Sequence, residues 1–168
     1  MGVIYKHAIY KILQFIPVIF LFFISLKDDV LFGLKFFDFL SINLQYIIIY
    51  YWVLKNPQLL GYGYIFLAGI ITDIILGFPL GLSPLSYLAI AALATYTRIV
   101  TVRINLLTDW ITFIPPLLSA NLIYFLVLHF YDIPISYLNI LKGSFFTFAA
   151  YPIFWVIFEL LRKMMRGE

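Results

Sequence analysis

The chain has no cysteine among its 168 residues. Disulfides, thiol nucleophiles and thiolate metal sites are therefore excluded, although the compartment stays open. Charge is also scarce, at 11% of residues, where an ordinary soluble domain carries about 25%. With 64% hydrophobic residues and a mean hydropathy of +1.04, the chain cannot cover its own surface with polar groups, and lipid is its expected solvent. No polar stretch is long enough for a soluble catalytic domain. No second histidine and no acidic cluster stands at ligand spacing from His129. There is no glycine-rich phosphate loop, no nucleophile elbow and no pair of carboxylates at catalytic spacing. These absences point to a protein that is not an enzyme, holds no cofactor or metal, and binds no nucleic acid.

What the sequence does have is long apolar runs. A helix needs roughly 17–25 such residues to cross about 30 Å of hydrocarbon. Six runs qualify, at 9–26, 36–54, 61–78, 84–102, 109–130 and 137–161. Strands are not expected, because the runs lack the alternation of a lipid-embedded barrel. Residues 1–168 thus read as one all-α integral membrane domain, a compact six-helix bundle. Lys6, His7 and Lys11 precede the first run, but no small-residue cleavage site follows it, so an uncleaved span is expected. Placing both termini in the cytoplasm puts Lys6, Lys11, Lys55, Arg98, Arg103, Arg162, Lys163 and Arg166 on the inner side. Only Lys27 and Lys35 then fall in outer loops, which is the bias of the positive-inside rule. Trp52 and Trp110 are expected near the inner interface, as part of an aromatic belt. Pro115-Pro116 and Pro152 are expected to kink their helices. The 27–38 connection is half apolar and is expected to lie in the interface. Glu159 is expected to pair locally with Arg162 at i,i+3, and the basic Arg162–Arg166 cluster can also touch anionic lipid.

One segment stands apart, Gly69-Ile-Ile-Thr-Asp73-Ile-Ile-Leu-Gly77-Phe-Pro79-Leu-Gly81. A carboxylate within an apolar span needs compensation from protein or trapped water and marks a functional-site hypothesis. Residues four apart share a helix face, so Gly69, Asp73 and Gly77 form one stripe that lets a neighbouring helix approach closely. Pro79 should end the helix, leaving Phe78–Ser83 as a tight outer turn that dips back toward the membrane, with Pro84 opening the fourth span. Two structural roles are open to Asp73: capping the turn by accepting from backbone N–H groups near Gly81 and Leu82, or pairing with a cation. At 1.5 Å per residue, Asp73 stands roughly 18 Å from the inner end of its span. Depth matching nominates Asn121 and Lys142 as partners, with His129 at the edge of the cluster, and rejects Arg98. An Asp–Lys pair in low dielectric costs less than either charge alone.

The pattern of Gly69, Asp73, Gly77, Pro79 and Gly81, followed by Leu85, resembles the signature of the rod shape-determining protein family MreD. Size, apolarity and span number extend the resemblance over essentially the whole chain; after Gly81 the residues Leu82-Ser83-Pro84 depart from the usual pattern. The resemblance implies a multi-pass protein of the bacterial inner membrane, related in fold to the substrate-binding subunits of energy-coupling-factor transporters. It implies a non-catalytic scaffold of the cell-elongation machinery that controls peptidoglycan synthesis. The partners implied are MreC and, indirectly, MreB and the peptidoglycan polymerase and transpeptidase, with a homodimer left open. The alternative is a vitamin-binding transporter subunit of the related fold. Against it, the first span contains no small-xxx-small pair of the kind that docks the transmembrane partner of those subunits.

Overall fold

The computed structural model describes residues 15–26, 43–101, 105–132 and 137–166. The basic N-terminus, the 27–38 connection, Arg103 and the starts of the first two expected spans lie outside the described residues. Those described form an all-helical structure: α1 (Ile16–Ser25), α2 (Leu44–Lys55), α3 (Tyr62–Leu76), α4 (Leu82–Val100), α5 (Leu106–Thr112), α6 (Ile114–Phe130) and α7 (Tyr137–Arg166). The segments α5 and α6 are one rod interrupted at Phe113. Pro115 and Pro116 fall in the first turn of α6, where an N–H has no intrahelical acceptor to lose, so the prolines cost little there. The last rod extends five residues beyond its expected end and continues through Pro152. Leu106–Phe130 and Leu138–Met165 are long and apolar enough to cross a membrane.

The centre of the bundle is α2. Every residue from Tyr46 to Leu54 is buried, as expected of a helix that is apolar on all sides. It packs against α1, α4 and α7, while α4 also packs against α3 and α6. Tyr50, Phe113 and Tyr151 stack where α2, the α5–α6 break and α7 meet, with ring centroids 4.9 and 4.8 Å apart. Phe158 of α7 fills the space between Phe20, Tyr51 and Trp52. The belt expectation is therefore corrected for Trp52, which is 1% exposed and part of the core. Trp110 is half-buried: its ring stacks on Phe148 and its Nε1–H donates to the Phe148 carbonyl at 2.9 Å.

Glycines set the α3–α4 geometry at two places. A Cβ on Gly69 would stand 2.5 Å from the backbone nitrogen of Pro84, so only glycine admits this contact. Gly81 has φ of 105°, a left-handed conformation that side chains disfavour. The first turn of α4 consequently lies beside the middle of α3, not beyond its end. The helix that Pro79 was expected to end stops earlier, at Leu76, with Gly77 left-handed after it, and the turn that follows leaves Leu80 exposed.

Candidate functional site

Both ends of the bundle carry buried polar chemistry. The turn end is organised by Asp73, which is fully buried. Its backbone carbonyl accepts from Gly77 and from Phe78, the latter at 3.0 Å, which closes α3 in a Schellman-type stop with Gly77 left-handed at φ 65°. Its carboxylate accepts from the Gly81 N–H at Oδ2 (2.7 Å) and from the Ser83 N–H at Oδ1 (2.9 Å). Gly81 occupies the N-cap position of α4 and has no side chain to cap with. Asp73 supplies the missing acceptor from the preceding helix and places a carboxylate at a helix N-terminus, where the helix dipole favours it. One residue thus ends one helix, begins the next and fixes the turn between them.

The expected cluster around Asp73 is not assembled among the described residues. Asn121 donates from Nδ2 to Ser144 Oγ and to the Leu117 carbonyl, each at 2.8 Å, which ties α6 to α7. Lys142 is exposed and lines an apolar groove between α6 and α7 with Leu117, Leu118 and Phe145. His129 is exposed and stacks on Phe125. Depth matching failed because it ignores direction around the helix axis. The turn's own N–H groups, only eight and ten residues away in sequence, satisfy both carboxylate oxygens first.

Asn121 does share a cavity with the neighbours of Asp73. The cavity holds about 280 Å³ and is lined by Asn43, Gln45, Thr72, Ser83, Tyr87, Asn121, Tyr124 and Asn139, among others. Tyr87 donates to Thr72 Oγ1 at 3.3 Å on its wall. No charged side chain lines it among the described residues. Its chemistry is that of amides and hydroxyls, which match a neutral ligand with several hydrogen-bonding groups or a cluster of waters.

The opposite, basic end holds an ion pair that the sequence reading did not anticipate. Lys55 Nζ, in the last turn of α2, lies 2.8 Å from Asp109 Oδ2 in the short helix α5, and the two side chains are 8% and 2% exposed. Trp155 of α7 donates from Nε1 to the same oxygen at 2.7 Å, and Lys55 also stands over its ring at 5.7 Å. Tyr51 donates to Glu159 Oε2 at 2.7 Å, and Glu159 forms the expected pair with Arg162. Three helical segments, α2, α5 and α7, are clamped by these contacts. The available signal was the buried face of α7: Tyr151, Trp155 and Glu159 are four apart, share one face, and offer polar atoms to whatever packs there.

Among the described residues, no group of three His, Asp or Glu side chains is placed to hold a metal ion. Comparison with protein-family models, with curated proteins and with solved structures finds no match for this chain.

Proposed function

We propose that this chain is a non-catalytic scaffold of the bacterial cell-elongation machinery, a multi-pass protein of the cytoplasmic membrane that binds MreC. Through MreC it would connect to MreB filaments inside and to the peptidoglycan polymerase and transpeptidase outside. In this reading the basic end faces the cytoplasm and the Asp73 turn faces outward. The supporting observation is the use made of the signature residues. Asp73 has both oxygens bound to backbone N–H groups, and Gly69 is pressed against Pro84. Residues committed in this way hold a rigid turn and offer no free acid or base to a substrate. The test is native capture of the chain from a rod-shaped bacterium, followed by mass spectrometry. MreC should be recovered with the unaltered chain and reduced with Asp73→Ala at equal protein level. Recovery of an ATPase and its coupling subunit instead would overturn the scaffold reading.

A second reading has one specific observation in its favour, the uncharged polar cavity beside Asn121 and Thr72. It suits the substrate-binding subunit of a transporter for a small neutral compound rich in amides or hydroxyls. Purified protein would then carry a small molecule through native mass spectrometry, and that molecule would raise its thermal stability. Protein that arrives empty, and whose melting no such compound shifts, removes this reading.

A further inference from the structure

The basic end holds a recess of about 350 Å³, separate from the Asp73 turn and from the polar cavity. Three cations from three elements converge on it: Lys55 from the end of α2, Arg98 from the last turn of α4, and Arg162 from α7. The amides of Asn56 and Gln58, in the α2–α3 connection, complete its polar lining. No carboxylate lines the recess among the described residues. Asp109 and Glu159 stand behind it, each holding one of the cations in place. Arg98 has no ion pair among the described residues and is exposed. Counting the whole group, three cations face two carboxylates, so one positive charge is unmatched and two others are held in position.

We infer that this recess is a binding site for the phosphate of an anionic phospholipid headgroup. An arginine fork and an ammonium converging from separate helices suit a phosphate, which accepts several charge-assisted hydrogen bonds at once. The surroundings select a lipid over free phosphate. Leu59 and Met165 line the recess itself, and Ile99 and Val100, which follow Arg98 at the end of α4, are large apolar side chains left 79% and 58% exposed. They offer acyl chains a surface next to the headgroup site. Basic recesses at the ends of membrane helices act in this way at anionic leaflets. The site rests on the membrane reading of the chain but not on its proposed partners, so failure to capture MreC leaves it standing.

The experiment uses the full chain purified in a neutral detergent. Dioleoylphosphatidylglycerol, dioleoylphosphatidylcholine or inorganic phosphate is added, with native mass spectrometry and thermal unfolding as readouts. Phosphatidylglycerol should be retained and should raise the melting temperature, whereas phosphatidylcholine and inorganic phosphate should do neither. Arg98→Gln should lower phosphatidylglycerol retention roughly fivefold while leaving lipid-free melting unchanged, because Arg98 has no ion pair to lose. Lys163→Gln, which removes an exposed cation outside the recess, should change retention little. Equal retention of the two lipids, an equal effect of inorganic phosphate, or full retention by Arg98→Gln would each overturn the assignment. The lipid comparison on the unaltered chain decides the matter even if the variant folds poorly.

Discussion

At the scale of single residues, Asp73 is the point on which the turn depends. Replacing it by alanine leaves the Gly81 and Ser83 N–H groups without their acceptor in a buried place. Each such loss costs about 1–3 kcal/mol, so Asp73→Ala should destabilise the bundle by about 3 kcal/mol or more. Asp73→Asn keeps one carbonyl acceptor and should fall between the two. Thermal unfolding in detergent measures both, and an Asp73→Ala protein that melts with the parent would show that the turn does not need the carboxylate. The glycines give a sharper contrast. Gly69→Ala forces a Cβ into the backbone of Pro84 and should cost about 1–3 kcal/mol. Gly63→Ala, in the first turn of the same helix with open space around its Cβ, should be neutral or stabilise by up to about 1 kcal/mol. Equal effects at the two positions would remove close α3–α4 contact as the reason for the stripe. The stripe itself was legible in the sequence, because four-residue spacing fixes a helix face whatever the fold. The partner of Asp73 was less so. The spacing suggested a cap as readily as a cation, and choosing required the path of the turn, which depends on Gly81 adopting φ of 105°.

At the scale of elements, the helices were readable and their interlocking was not. Apolar run length located α3, α4, the α5–α6 rod and α7 to within about five residues, because apolar runs end where polar and turn-forming residues begin. It did not reveal that α2 is the buried centre, because a helix enclosed by protein and one facing lipid have the same composition. This is why Trp52 reads as a belt residue and proves to be core. Nor did run length pair Lys55 with Asp109. Each lies at the end of its own helix, where charge is usually solvated, and only the packing of α5 against α7 brings Trp155 over both. A double-mutant cycle tests what this clamp contributes. Lys55→Met leaves Asp109 buried with only the Trp155 N–H, and loss of one partner from such a pair costs about 3–5 kcal/mol. Asp109→Leu strands Lys55 in the same way. The double replacement removes both charges and should recover part of the loss, because no buried charge is left unpaired and only the Trp155 N–H still lacks its acceptor. Additive losses in the double variant would mean that the two charges act on separate parts of the structure.

At the scale of the whole molecule, the two ends differ in chemistry, and in the membrane-spanning reading that difference sets the orientation of the bundle. The turn end presents the Asp73-held loop and an uncharged cavity. The other end gathers Lys55, Arg98 and Arg162 around a recess, with Lys163 exposed nearby on α7. Translocating those cations is far more costly than leaving them in place, so they should remain cytoplasmic. The length of α7 fits this orientation. Its 30 residues span roughly 45 Å, about half as long again as the hydrocarbon core, so in the membrane-spanning reading its basic last turns would extend past the membrane surface. The absence of native cysteine makes the arrangement directly measurable, because any introduced thiol is the sole label site. Leu80→Cys places a thiol in the turn, at a residue 70% exposed, and Gln58→Cys places one at an exposed position in the α2–α3 connection. In intact spheroplasts, a membrane-impermeant maleimide should label Leu80→Cys and spare Gln58→Cys; after permeabilisation both should react. The reverse pattern would invert the bundle and put the signature turn in the cytoplasm, where it could not meet the outer enzymes of wall synthesis. Labelling of both positions in intact cells would remove the membrane-spanning arrangement on which the scaffold reading depends.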